Sequence, residues 1–230
     1  ASVSIYGVGY PSEVVVASTW NPDMAYLLGY SLGKEGAAMG MTGWYAPGLN
    51  LHRAAAGGRN FEYYSEDPFL SGAFGKATVN GAAQKGMYAF IKHFALNDTE
   101  QDRLGQAAWL TEQAAREIYL KAFGMTVRDA DPYTIMSSYN LINGIHASES
   151  ADLLEGILRQ EWGFAGMVTT DWGIKNDPVA EVKAGNDMKM DISYPEDLFA
   201  ALRDGTLTRG DLQACAKRIL TVYQRLYSNQ

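Results

Sequence analysis

The length, composition and charge of the chain are those of an ordinary globular protein. It has 230 residues, 47% of them hydrophobic and 20% charged, enough to bury the core of one large domain or two small ones. The 26 acidic residues outnumber the 19 basic ones and give a net charge of -7, which disfavours nucleic acid and anionic membrane surfaces as partners. No stretch approaches the roughly 18 consecutive apolar residues of a membrane span.

Cysteine and histidine are too sparse to indicate a metal site. Cys215 is the single cysteine, so it can form no internal disulfide and no thiolate cluster. His52, His93 and His146 are widely separated, and no His-x-x-x-His spacing occurs. The sequence therefore predicts no catalytic metal and no cofactor.

Short β-rich runs alternate with longer amphipathic stretches along the first half of the chain. Hydrophobic period and capping residues predict five elements there. They are a strand over Glu13–Ser18, a helix from Asn21-Pro22 to about Met39, a strand over Gly43–Leu51, a helix over Phe69–Lys85 and a strand over Tyr88–Ala95.

The alternation continues in the second half. A helix beginning at Thr111 is followed by a strand over Tyr133–Asn140, and a helix after Ser150 ends at Gly163. The pattern then predicts a strand over Gly166–Trp172, a weak sixth strand over Ala184–Asp191, and helices that begin at Pro195 and Thr208.

This alternation predicts a parallel sheet in one domain over residues 1–230, either a barrel or a doubly wound sheet. No G-x-G-x-x-G follows the first predicted strand, so the nucleotide-binding form loses support. Catalytic residues of a barrel come from the C-terminal ends of its strands. Three predicted strands end in polar groups, at Lys92-His93, Ser138–Asn140 and Asp171-Trp172. We therefore predict the α/β class and a TIM-type barrel.

The strand ends supply the first candidate site residues. A carboxylate of Asp171 at the barrel mouth could attack an electrophilic carbon, although a helix cap or a structural ion pair explains its position equally well. Lys92 and His93 could hold several hydroxyls, but adjacent residues of a regular strand point to opposite faces. A surface lysine and a buried structural histidine remain the alternative.

The segment Gly58–Asp67 combines charged, aromatic and amide side chains without a helical period, which favours a functional loop. Arg59 could form paired hydrogen bonds with vicinal hydroxyls, or it could pair with Glu62 and hold the loop together. Tyr139 could orient a strand-end carboxylate, or it could simply satisfy its own hydroxyl. Trp172, next to Asp171, is placed with the substrate-binding residues.

These segments together resemble family 3 of the glycoside hydrolases, which contains many β-glucosidases and β-xylosidases. The resemblance runs nearly end to end, in the family's order and spacing, and the segment GRNFEYYSEDP (Gly58–Pro68) is highly specific. The other matching segments are STWN from Ser18, APGLN from Ala46, IKHF from Ile91, MSSYNLING from Met136 and VTTDWG from Val168.

The resemblance implies roles for particular residues. Asp171 would be the nucleophile that becomes glycosylated, and Tyr139 would lie beside it. Arg59, Lys92 and His93 would bind hydroxyls of the sugar at the scissile bond. The implied reaction is retaining hydrolysis, which needs a second, acid/base carboxyl about 5–5.5 Å from the nucleophile.

The chain also departs from the complete family pattern. The motif after Lys92-His93 continues Phe94–Asp98 (FALND), which resembles the branch whose acid/base comes from an additional α/β-sandwich domain. Glu62 and Glu66 belong to the loop motif and are interpreted as structural. About six strands are predicted where a closed barrel has eight, so we expect an incomplete barrel. A further domain or chain would supply the acid/base and the first strand.

The sequence thus predicts a retaining β-glycoside hydrolase of the β-glucosidase or β-xylosidase type, with a sugar or oligosaccharide as substrate. The alternative is a non-catalytic carbohydrate-binding fragment that keeps Arg59, Lys92 and His93. A weaker third hypothesis is a barrel enzyme of unrelated chemistry, such as an aldolase that uses Lys92 for a Schiff base.

Overall fold

A four-stranded parallel sheet forms the centre of the computed structural model, which describes residues 7–228. The strands lie across the sheet in chain order, as they do in a (β/α) barrel, and Met188 forms a further parallel bridge to Thr169. Within the described residues the sheet does not close into a barrel. The strands are β1 (Gly43–Trp44), β2 (Tyr88–Phe94), β4 (Thr134–Ser137) and β7 (Met167–Thr169).

A small second sheet consists of β3 (Ala107–Ala108), β5 (Leu141–Ile142) and β6 (Ile145–His146). The helices surround the central sheet, and none in the described part of the chain is long and apolar enough to cross a membrane. They are α1 (Glu13–Ala17), α2 (Pro22–Ala38), α3 (Pro68–Ala83), α4 (Glu112–Ala114), α5 (Lys121–Ala130), α6 (Pro178–Ala184), α7 (Pro195–Asp204) and α8 (Arg209–Ser228), with π-helical segments at Ala115–Tyr119 and Asp152–Glu161 and short 3-10 turns at Asn60–Glu62 and Ala147–Glu149.

Local sequence signals explain where several helices begin. Asn21, Asp67 and Asp177 each accept a backbone N–H bond at the first turn of α2, α3 and α6, and a proline follows each of them. A side-chain acceptor satisfies an otherwise unpaired N–H group, and proline already has the backbone angle of a first helical residue. These three helix starts are therefore encoded locally.

The core lies between the sheet and the helices that cover it. Ile91, Ile135 and Val168 of three adjacent strands are fully buried, and each such side chain contributes about 1.5–3 kcal/mol by leaving water. Two glycines let α2 and α3 approach closely. A Cβ atom would lie 2.0 Å from the Thr78 carbonyl oxygen at Gly29 and 2.1 Å from the Tyr26 carbonyl oxygen at Gly81.

The α/β class and the parallel sheet with its surrounding helices are confirmed, but two predicted strands are wrong. Glu13–Ala17 is a helical turn, because the burial of Val16 and Ala17 overrides the β preference of its valines. Ala184–Asp191 forms no strand beyond the single bridge at Met188. Its first residue instead ends α6, a helix that the sequence analysis missed.

Candidate functional site

The carboxyl ends of β2, β4 and β7 bring the predicted strand-end residues to one edge of the sheet, because neighbouring parallel strands end on the same side. The Nε2 atom of His93 lies 3.7 Å from the Oδ2 atom of Asp171. The pairing of β2 with β4 changes register between Ile91 and Phe94. At this irregular strand end both Lys92 and His93 reach the site, which a regular strand would not permit.

Asp171 is nearly buried, with 11% of its side chain exposed. Its Oδ1 atom accepts a 2.6 Å hydrogen bond from the Trp172 backbone N–H, whereas its Oδ2 atom accepts none from the described residues. Burial raises the pKa of Asp171, and the Trp172 N–H, Arg59, Tyr139 and Lys92 offset only part of this increase. One carboxylate oxygen is therefore fixed by a backbone hydrogen bond, and the other is buried next to the imidazole of His93.

Glu62 joins the two predicted sugar-binding cations. Its Oε1 atom pairs with the Nε atom of Arg59, and its Oε2 atom lies 3.0 Å from the Nζ atom of Lys92. The 3-10 turn Asn60–Glu62 brings Arg59 and Glu62 to the same side of the loop. Burial raises the pKa of Glu62, but the two cations outweigh burial and hold that pKa below its ordinary value. Glu62 therefore stays ionised and is a poor proton donor.

The backbone of His93 is held by Asn50, and the imidazole of His93 is neutral. Asn50 accepts a 2.8 Å hydrogen bond from the His93 N–H and donates one of 3.0 Å to the His93 carbonyl oxygen. Burial and the nearby cations Arg59 and Lys92 hold the pKa of His93 well below its ordinary value. The contact with Asp171 is thus no ion pair, and the neutral imidazole can still donate or accept one hydrogen bond at Nε2.

Tyr139 and Trp172 both lie next to the nucleophile candidate. The Tyr139 hydroxyl donates a 2.7 Å hydrogen bond to the Trp172 carbonyl oxygen, which holds the peptide that follows Asp171. Burial and the charge of Asp171 raise the pKa of Tyr139 to about 12. The Trp172 side chain is 60% exposed and could contact a bound ligand from the solvent side.

The sequence analysis missed several residues that complete this arrangement. Asn50 fixes the backbone of His93, and Tyr63 places its hydroxyl 3.3 Å from the Nδ1 atom of His93. Arg103 pairs with Glu100 at 2.6 Å and lies over the Tyr139 ring, 4.7 Å from its centroid. Asn50 and Tyr63 lie within matched motifs, which was the available signal. Glu100 and Arg103 carried none.

Every sequence-predicted site residue is thus found at this edge of the sheet. Arg59, Lys92, His93 and Tyr139 surround the Asp171 carboxylate, and Trp172 follows it directly in the chain. The described residues contain no group of three or more His, Cys, Asp or Glu side chains that could hold a metal ion. One carboxylate with a free oxygen, among cations and a neutral imidazole, can bind a polyhydroxylated molecule and attack an electrophilic carbon.

Comparison with known proteins gives a family match over nearly the whole chain. Residues 4–222 match the family described as "Glycosyl hydrolase family 3 N terminal domain". β-Glucosidase A of Butyrivibrio fibrisolvens is 44% identical over 211 residues, covering 92% of this chain and 25% of the relative. An exo-α-(1→6)-L-arabinopyranosidase of Bifidobacterium longum is 39% identical over 223 residues, covering 96% of this chain and 30% of the relative.

Solved structures show the same fold. A β-glucosidase of Bifidobacterium adolescentis superposes with a TM-score of 0.94 at 38% identity, over 99% of this chain and 34% of that one. β-Glucosidase 3B of Thermotoga neapolitana in complex with glucose superposes with a TM-score of 0.92 at 38% identity. The match covers 96% of this chain and 32% of that one. The chain thus spans about a quarter to a third of the length of these relatives.

Proposed function

The chain belongs to glycosyl hydrolase family 3, and on that premise we propose that it carries the nucleophile of a retaining β-glycosidase that acts on β-glucosides. The relatives named above include β-glucosidases, which favours glucosides over xylosides. They also include an arabinopyranosidase, so the experiment must compare hydrolysis rates for several pyranoside substrates. Because those relatives are three to four times longer, the rest of the machinery is proposed to come from outside residues 1–230.

The observation that carries this proposal is the asymmetric environment of Asp171. Its Oδ1 atom is held by the Trp172 N–H, and its Oδ2 atom is unpaired. In the proposed first step, Oδ2 bonds to the anomeric carbon while the glycosidic C–O bond breaks, and the leaving oxygen takes a proton from an external acid. Water then attacks the same carbon, the conjugate base of that acid takes the proton from the water, and the Asp171 carboxylate is released.

Arg59, Lys92 and His93 are proposed to hold the hydroxyls of the reacting sugar. The two cations donate several hydrogen bonds, and the neutral imidazole can accept or donate one at Nε2. Tyr139 is proposed to fix the peptide after the nucleophile, and Trp172 to contact the sugar or the leaving group. Positioning of this kind lowers the barrier because the reacting atoms are already aligned.

Covalent trapping tests the nucleophile directly. The protein that contains this chain is incubated with 2,4-dinitrophenyl 2-deoxy-2-fluoro-β-D-glucoside, digested and analysed by mass spectrometry. The expected result is one fluoroglucosyl group on the peptide that contains Asp171, and no label in the Asp171→Asn variant. A protein that hydrolyses β-glucosides but carries the label on another carboxylate would refute the assignment. Parallel rates with aryl β-D-xyloside and α-L-arabinopyranoside establish the preferred sugar.

A non-catalytic sugar-binding role is the second candidate, and one observation favours it. Glu62, the carboxylate that contacts both Arg59 and Lys92, is held ionised by them and is unsuited to proton donation. Calorimetry with glucose together with a hydrolysis assay separates the two roles. Glucose binding without turnover of aryl glucosides by the complete protein would support the binding role and exclude the hydrolase.

A further inference from the structure

The loop after β2 contributes to two separate places in the molecule. Asn97 and Glu100 hydrogen-bond each other beside Arg59, on the side of the Asp171 site. Asp98 and Thr99 of the same loop line a different cavity, of about 380 Å³, which none of the predicted sugar-binding residues lines. Its volume lies within the range of about 300–1,000 Å³ that is typical of small-molecule sites.

Hydrogen-bond donors and acceptors both line this cavity, and some of their atoms have no hydrogen-bond partner in the described part of the chain. Asp98 is 8% exposed, and its Oδ1 atom accepts a 2.6 Å hydrogen bond from the Leu51 N–H. Its second oxygen accepts none from the part of the chain described. The Oε1 atom of Gln106 is buried and likewise unpaired. Because buried polar atoms are normally satisfied, the Gln106 oxygen indicates a ligand or ordered water in the cavity.

Arg53 adds hydrogen-bond donors to the same cavity. Its guanidinium lies 5.6 Å from the centroid of the Tyr119 ring and forms no ion pair within residues 7–228. The charge of Arg53 acts on Asp98 through space and lowers its pKa, although burial dominates and raises that pKa to about 6. The cation and the carboxyl group offset each other, so the cavity attracts neither a phosphate nor a strongly cationic ligand.

Trp109 provides a flat apolar surface at the rim. Its indole is 74% exposed, and one edge lies 3.5 Å from the position that a Cβ atom of Gly144 would occupy. No apolar side chain of the described residues covers this indole to the extent that a core residue would be covered. Its electron-rich face attracts weakly positive C–H groups.

We propose that this cavity is a second carbohydrate-binding site, which takes a neutral saccharide with one face stacked on Trp109. Sugar hydroxyls both donate and accept, so they can satisfy Arg53, Asp98 and Gln106 together, whereas an apolar ligand would leave the two acceptors unpaired. The C–H face of a pyranose matches the indole. Because the site requires no chemistry at Asp171, it is independent of the proposed hydrolysis.

Calorimetry with the catalytic site occupied tests this proposal. The Asp171→Asn variant of the protein that contains this chain is saturated with 1-deoxynojirimycin and titrated with cellobiose. We expect one binding event per chain, weakened about 10-fold or more by Trp109→Ala and also weakened by Gln106→Ala. Trp20→Ala is the matched control, because Trp20 is 77% exposed and does not line the cavity. It should leave the affinity unchanged.

Two results would overturn the second site. One is the absence of binding up to about 20 mM cellobiose, and the other is an affinity that neither Trp109→Ala nor Gln106→Ala alters. Thermal melts show whether Trp109→Ala or Gln106→Ala fails to fold. If one of them does, the cellobiose affinity of the other variant tests the proposal. Hydrolysis of 4-nitrophenyl β-glucoside by Trp109→Ala in the active protein should equal that of the parent. Failure of the second site is thereby distinguished from failure of the hydrolase.

Discussion

The Oε2 atom of Glu62 lies 3.0 Å from the Nζ atom of Lys92, while the other carboxylate oxygen of Glu62 pairs with Arg59. One carboxylate therefore pairs with both cations proposed to hold the substrate and reduces the repulsion between them. Like charges in a partly buried site repel each other strongly, since little solvent screens them. The positions of Arg59 and Lys92 thus depend on a residue that itself need not touch the sugar.

The Glu62→Gln variant should lose kcat/KM by about 10–100-fold, because one neutral amide cannot balance two cations. Steady-state kinetics with 4-nitrophenyl β-glucoside measure this loss. Glu66→Gln is the matched control, since Glu66 is an exposed carboxylate of the same segment and should keep nearly full activity. Equal kinetics for the two variants would contradict the positioning role of Glu62.

Replacing Asp171 should abolish turnover but preserve folding. We expect Asp171→Gly to lose kcat by about 10³-fold or more, because no other described group can form the glycosyl-enzyme bond. Added azide should restore part of the rate with an activated aryl β-glucoside and should yield the α-glucosyl azide, which NMR identifies. A β-configured product would mean that the nucleophile lies elsewhere.

The ionised side chain of Asp171 should also destabilise the folded protein at neutral pH. The pKa of Asp171 is higher in the folded protein than in the unfolded chain. The stability that this difference contributes to the folded protein is fully present below the unfolded pKa and is lost as pH rises through the folded pKa. Asp171→Asn should therefore stabilise the protein at about pH 7 by about 1 kcal/mol, the scale of an unsatisfied buried acceptor. The gain should shrink at about pH 3.5. Urea unfolding at both pH values measures it, and a gain that grows toward low pH would oppose this account.

The pH dependence of catalysis should report the same carboxylate. The nucleophile must be ionised, so kcat/KM should fall as pH drops through its pKa. Burial raises that pKa above the ordinary value of an aspartate. Lys92 lowers the pKa of Asp171, so Lys92→Met should move the acid limb to higher pH. Lys76→Met, which removes an exposed pair with Asp129, should leave the limb in place.

A buried ion network around Asp187, next to β7, should contribute strongly to the stability of the fold. Asp187 accepts hydrogen bonds from Arg159 at 2.7 Å, Arg218 at 3.0 Å and the Val168 N–H at 2.8 Å. In Asp187→Ala both arginines keep only their contacts with Glu155 among the described carboxylates, so the loss should be about 3 kcal/mol.

Arg116→Met provides the comparison for this network, since the pair of Arg116 with Glu161 is solvent-exposed. Removing an exposed pair of this kind should cost about 1 kcal/mol or less. Urea unfolding of both variants supplies the two values. Similar losses would mean that the Asp187 network contributes little.

Local sequence patterns predicted most helices and three of the central strands well. The helix at Asn21-Pro22 begins as expected, and the next begins at Pro68, one residue before its expected start at Phe69, because a cap and a first-turn proline act within a few residues. The strand predicted over Glu13–Ser18 was wrong, because the conformation of this run depends on contacts with distant parts of the chain. Three consecutive valines favour a strand locally, but their partners in the fold decide which of them is buried.

The sequence by itself determined the family and the alternation of the central strands with helices. It also identified the residues to examine, which are Asp171, Arg59, Lys92, His93, Tyr139 and Trp172. The tertiary structure alone decided that Glu62 bridges two cations and that Asn50 fixes His93. It also decided that Gln106 and Trp109 face a second cavity. These contacts join residues far apart in the chain, such as Asn50 and His93 across 43 positions. Hydrogen bonds and charges act over a few ångströms in space, so only the folded chain determines which distant residues meet.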